Sequence, residues 1–215
     1  MPILYSYFRS SAAYRVRIAL NLKGLAFDTI PVHLLKDGGM QHAPAYADIN
    51  PSHLVPTLID QGLPMGQSLA IMEYLDEVYP DPPLLPADAA GRAKVRALSQ
   101  LIACDIHPLN NLRVLHYLEH DLAVDASARA AWYQHWVTLG FEALERMLQT
   151  RPQASIFCIG DVPGMAECCL VPQMYNARRF QVPLDAYPRL RSVEAACQQL
   201  DAFQRAAPHM QPDAQ

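Results

Sequence analysis

Lysine is scarce in this chain. Only Lys23, Lys36 and Lys94 occur among the seventeen Lys and Arg residues, and the formal net charge is −4. No basic footprint is left for nucleic acid or an anionic membrane surface. The fourteen arginines suit two-point carboxylate binding better than lysines would, but a compositional bias explains the ratio as simply, so individual positions must decide. No uncharged apolar run approaches the ~20 residues that cross a bilayer. Residues 1–9 lack the charged start, long apolar run and small-residue cleavage site of an export signal. Cysteine is missing from the first 103 residues. The five present (Cys104, Cys158, Cys168, Cys169, Cys197) are odd in number and contain no C-x-x-C, which argues against a disulfide framework or a zinc site. Reduced, buried thiols in a soluble cytoplasmic protein are expected.

What is abundant is apolar: 51% of 215 residues, enough for a sizeable core and against global disorder. The length allows more than one small domain and at most two. Residues 1–80 alternate strand and helix patterns. Ile3 to Tyr7 is β-prone, and Ser10 and Ser11 stand where a cap is wanted before a helix over 12–23 that stops at Gly24. Strands are predicted at 27–32, 55–59 and 63–65, and Gln67 and Ser68 cap a helix over 69–78. Asp81-Pro-Pro-Leu-Leu-Pro86 interrupts both periods, so the boundary is set at a linker over 81–87. Beyond it, residues 88–215 read as helical: a long helix to about His120 kinked at Pro108, then 125–149, 164–180 and 188–206. In 125–149 the stripe Ala128, Trp132, Trp136, Leu139, Ala143 and Met147 is expected to face the core. The fold class is an α/β domain followed by an all-α domain.

Three places carry possible chemistry. At Arg9-Ser10-Ser11, the serines can simply cap the helix. The same junction, with its unpaired N–H groups and positive dipole end, attracts an anion. A thiolate is a feasible one: lowering a thiol from ~8.5 to ~6.5 needs about 2.7 kcal/mol. A hydrogen bond to the charge supplies about 1.5–3 kcal/mol and a helix end about 0.3–2. At Val55-Pro56, proline at a strand mouth is compatible with a cis peptide, leaving Val55's backbone to pair with an extended peptide, or it is an ordinary edge proline. Gln67 and Ser68 either cap their own helix or form a second anion pocket. The histidines other than His107 show no metal-ligand spacing, and no metal is expected.

Ser10-Ser-x-x-Tyr-Arg-Val-Arg-Ile-Ala-Leu20, Leu35-Lys-Asp-Gly-Gly39, Asn50-Pro51, Val55-Pro-Thr-Leu58, Gln67-Ser-Leu-Ala-Ile71, Cys104-Asp-Ile-His-Pro-Leu-Asn-Asn111 and Gln211-Pro-Asp213 together resemble the zeta class of glutathione transferases. The likeness runs through essentially the whole chain. It implies a thioredoxin-like domain, a helical domain, a homodimer and glutathione as cofactor. The implied activity is maleylacetoacetate isomerisation in tyrosine breakdown, with maleylpyruvate isomerisation or general transfer to small electrophiles such as α-haloacids as alternatives. By the same resemblance Ser10 orients the glutathione thiolate beside Ser11 and Arg9. Val55 before a cis-Pro56 pairs with the cysteinyl segment, Gln67 and Ser68 bind the γ-glutamyl end, and His107 and Asn111 complete glutathione binding. Arg9, Arg113 and Arg179 are implied for substrate carboxylates, with Arg178 left as a solvated charge and Arg15 and Arg17 at a dimer contact or in solvent. Ala12 stands where many members have Cys, which removes any accessory thiol. Gly164 and Glu167 replace the usual helix-capping pair.

Overall fold

The computed structural model describes residues 1–151 and 154–214, and of residue 37 the main chain only. Contacts divide the chain into two units, Met1–Leu85 with Gln198–Gln215, and Pro86–Cys197. The tail from 198 therefore packs with the first unit, not with the helical region in which the sequence reading left it.

The first unit is built on a four-stranded sheet in the order β2-β1-β3-β4. β1 (Ile3–Ser6) runs parallel to β2 (Asp28–Pro31), with Leu4 opposite Thr29. It runs antiparallel to β3 (Thr57–Asp60), with Leu4 opposite Leu58, and β3 is antiparallel to β4 (Leu63–Met65). A parallel neighbour needs a crossover, and α1 (Ser11–Leu22) supplies it. The β3–β4 hairpin closes through Gln61 and Gly62, both at positive φ, the geometry whose twist matches the flanking strands. Pairing of β3 begins at Thr57, two residues later than the sequence suggested, because Pro56 has no N–H to give.

α1 is buried on nearly every side: Ala13 through Leu20 are all inaccessible, the two arginines included. The short helix α2 (Pro44–Ala47) precedes β3, and α3 (Ser68–Val78) packs on α1. Lys23, at the end of α1, donates to Asp76 (2.9 Å) and to the carbonyls of Tyr79 and Pro82. Asp76 also accepts from the Leu84 amide. These bonds fasten the proline-rich connector to the first unit as far as residue 85.

The second unit is helical, but the long helix expected over 88–120 is four pieces. α4 (Ala89–Gln100), capped by Asp88, gives way to a π-helical turn over Leu101–Ile106 and a 3₁₀ turn over His107–Asn110. Pro108 lacks an N–H and its ring collides with the carbonyl one turn back. The chain widens to accommodate it, with the His107 amide bonding Ile102, five residues earlier. Asn111 then caps α5 (Leu112–His120). The break is tightly packed: a Cβ on Gly140 would lie 2.2 Å from Ile106 Cδ1.

α6 (Ala126–Met147) corrects a second expectation. Its buried stripe is Tyr133, Val137, Phe141 and Leu144, one residue out of phase with the predicted one. Leu139 is 52% exposed and Met147 39%, while Trp132 and Trp136 are half-buried at the core edge. α7 (Met165–Arg179) follows as expected, and the final helical stretch is two helices, α8 (Pro188–Cys197) and α9 (Asp201–Ala206), the latter in the first unit against α1. Glu167 of α7 accepts from the Gly164 amide (2.7 Å). Gly164 has no side chain to reciprocate, so half of a capping box suffices here. No helix is long and apolar enough to cross a membrane among the described residues.

Candidate active site

In the first unit the chain turns sharply after β1. The Ser10 amide donates to Tyr7 O (2.9 Å), closing a turn, and the Ser10 hydroxyl caps α1 by accepting from the Ala13 amide (3.2 Å). One hydroxyl lone pair and its hydrogen are left for a ligand. α1 has no acidic residue in its first turn to neutralise its positive end. Ser11, the first residue of α1, is buried, whereas Ser10 and Arg9 are partly exposed. The Arg9 guanidinium lies 4.7 Å over the Phe8 ring.

The Val55–Pro56 peptide is cis. A polar knot props the segment before it: Leu54 O accepts from Tyr46 Oη (2.6 Å) and Asn50 Nδ2 (2.9 Å), and both also reach Thr57 Oγ1. Burial pushes the Tyr46 hydroxyl pKa up, which keeps it a donor. Val55 packs in one apolar cluster with Tyr7 and Phe8, so the turn carrying Ser10 and the loop carrying Val55 share a foundation.

Gln67 stands immediately before α3 at φ 64° and ψ 108°, a left-handed conformation rare outside glycine, and makes no side-chain capping bond. Such strain gathers where a ligand is held. Ser68 is buried and accepts from Arg15 Nη1 (3.1 Å). α3, like α1, has no acidic first turn. Two uncompensated helix ends in one unit, one of them backed by a buried guanidinium, suit an acidic peptide ligand.

Arg15 and Arg17 are 2% and 1% exposed, which corrects their assignment to solvent or a dimer contact. The sequence held a usable signal: α1 has apolar residues all round, so arginines two apart, on opposite faces, had to be buried. The Tyr46–Asn50–Thr57 knot had no such signal, because its members lie in an irregular stretch where spacing does not say which side chains meet.

In the second unit, Asn111 Oδ1 accepts from the Arg113 amide (3.1 Å), which fixes the orientation of its amide group. Its Nδ2 therefore donates to His107 Nε2 (3.3 Å), placing the imidazole proton on Nδ1. Arg113 is exposed on α5. On α7 the two arginines differ: Arg178 makes a two-pronged pair with Glu194, which is buried, so it is not a merely solvated charge. Arg179 is exposed, makes no ion pair among the described residues, and lies 5.1 Å over the Phe180 ring, itself stacked on Tyr133.

Comparison with known proteins follows the same lines. Residues 9–78 match the family described as glutathione S-transferase, N-terminal domain. The chain is 50% identical to a probable maleylacetoacetate isomerase of Vibrio cholerae, over 99% of this chain and 98% of that protein. The holo structure of maleylpyruvate isomerase, a bacterial glutathione S-transferase in the zeta class, is 48% identical with a TM-score of 0.95, over 99% of this chain and 100% of that one. A maleylacetoacetate isomerase from Anaeromyxobacter dehalogenans, with dicarboxyethyl glutathione and citrate in its active site, is 40% identical with a TM-score of 0.88, over 100% and 98% of the two chains. The first unit is thus a glutathione transferase N-terminal domain, and the chain belongs to the zeta class of the glutathione transferases.

Proposed function

We propose that this chain is a glutathione-dependent cis–trans isomerase that converts maleylacetoacetate to fumarylacetoacetate. The observation that carries the reading is the Ser10 hydroxyl at the head of α1, whose first turn has no acidic residue. The residues present fit glutathione: Gln67 and Ser68 at the second open helix end for its γ-glutamyl carboxylate, and Val55 before cis-Pro56 for its cysteinyl segment. A related isomerase binds a dicarboxyethyl derivative of glutathione in its active site. Glutathione bound in this way supplies a thiolate whose reversible addition to the enone turns the double bond into a single bond that can rotate.

Ser10 donates its hydroxyl hydrogen to the sulfur and favours the ionised form. The α1 amides add to that field. Arg9 is the cation assigned to the charge that develops on the substrate carbonyl oxygen, and Arg9, Arg113 and Arg179 are assigned to its carboxylates. His107 and Asn111 are assigned to glutathione by class resemblance. The same resemblance supports a cytoplasmic homodimer acting in aromatic amino acid breakdown.

Maleylpyruvate is the second reading, favoured by the 0.95 TM-score to a maleylpyruvate isomerase. Purified protein with glutathione is added to each substrate and the loss of ultraviolet absorbance followed. The expected result is turnover of one or both with glutathione unconsumed. Stoichiometric loss of glutathione would make the chain a conjugating transferase instead, and no retention on glutathione resin would remove the reading.

A further inference from the structure

The turn that carries Arg9 and Ser10 is held from behind by two charged side chains to which the proposed function assigns no role. Arg17 is 1% exposed, and its guanidinium donates to Ser6 Oγ (3.0 Å), Tyr7 O (3.4 Å) and Phe8 O (3.0 Å). Its Nε donates to Ala206 O (3.0 Å). From the tail, Asp213 Oδ2 accepts from the Phe8 amide (3.0 Å). Both main-chain polar groups of Phe8 are therefore spoken for by a charge, one of each sign, two residues before Ser10. Asp213 is close enough to oppose the burial that draws the Arg17 pKa down to about 10. Ala214 packs on the cluster of Tyr7, Phe8 and Val55, so the tail rests on the foundation of both the Ser10 turn and the Val55 loop.

We propose that Asp213 is a positioning residue for the reaction: with Arg17 it clamps the Tyr7–Ser10 turn and thereby sets where the Ser10 hydroxyl points. Hydrogen bonds in which one partner is charged are about twice as strong as neutral ones, and Phe8 receives one at each end of its main chain. Without the Asp213 carboxylate, the Phe8 amide is released and the turn keeps only Arg17 and its own Ser10–Tyr7 bond. A reactive group displaced by ~1 Å can lose on the order of 100-fold in rate, so a small relaxation of this turn suffices for a large effect. The inference rests on the proposed isomerase reading.

The test compares wild type, Asp213→Ala and Asp213→Asn, with thermal melting recorded for each. Asp213→Ala is expected to lower kcat about tenfold or more, while KM for glutathione stays within about threefold, because the peptide's own contacts are untouched. The acidic limb of its kcat–pH profile moves to higher pH, as a less well-placed hydroxyl stabilises the thiolate less. Asp213→Asn keeps an acceptor oxygen and restores most of the rate. A purely structural role would lower the melting temperature of both variants while leaving kcat and the pH profile of the folded enzyme in place, and that result overturns the proposal. If wild type isomerises its substrate and Asp213→Ala matches it, this inference alone falls. If wild type shows no glutathione-dependent isomerisation, the proposed function falls and takes this inference with it.

Discussion

The two units bury opposite balances of charge. The first hides three cations, Arg15, Arg17 and Lys23, against one carboxylate, Asp60, and the cations fasten loops and helix starts. The second hides Glu145, Glu167 and Glu194, and these carboxylates serve helices. Glu145 accepts from the Arg189 and Leu190 amides at the head of α8, Glu167 from the Gly164 and Cys158 amides, and Glu194 takes the Arg178 guanidinium. In the second unit helix ends are satisfied from within. In the first, α1 and α3 carry no acidic residue in their first turns while cations stand buried close by, a distribution that favours an anionic ligand.

The largest effect should come from the first unit. Replacing Arg17 with Met takes a donor from Ser6 Oγ and from the Tyr7, Phe8 and Ala206 carbonyls and removes a fully buried charge, so urea unfolding should show a loss of about 3–5 kcal/mol. A change under about 1 kcal/mol would mean that the internal cations are not what holds this unit together. Next is Glu145→Gln, which weakens the cap on α8 and should cost about 1–2 kcal/mol. The α7 arginines sharpen the contrast further. Arg178→Ala takes the two-pronged guanidinium bond from buried Glu194 and should cost about 1–3 kcal/mol. Arg179→Ala should alter stability by less than about 0.5 kcal/mol and raise KM for a dicarboxylate substrate. An unchanged KM would take Arg179 off the substrate list. The smallest effect is a count: one thiol per native chain, Cys104, should react promptly with a thiol reagent. The other four are buried, and burial pushes the Cys158, Cys168 and Cys197 thiols up.

Legibility in the sequence divides along the same line. Strand and helix order in the first unit could be read from punctuation such as Ser10, Gly24, Pro56 and Gln67, where local chemistry decides. α6 could not be phased, because two apolar stripes one residue apart, Trp132–Trp136–Leu139 and Tyr133–Val137–Phe141, satisfy the helical period equally. Only the partners it packs on choose between them. The break at Leu101–Ile106 was anticipated at Pro108 but not its reach one turn upstream. Of the candidate site, Ser10, Ser11, Gln67 and Ser68 stand where two helices begin. What lay out of reach was the support: Arg15 under Ser68, the Tyr46–Asn50 knot under Leu54, and Asp213 behind Phe8, contacts spanning up to 205 positions along the chain.

The account turns on whether a glutathione sulfur is kept ionised by the Ser10 hydroxyl. Titrating the ultraviolet thiolate absorbance of enzyme-bound glutathione against pH tests this directly. Wild type should show a midpoint near ~6.5, about two units below an ordinary thiol, and Ser10→Ala should move it up by roughly one unit or more. The same midpoint in both proteins would contradict it.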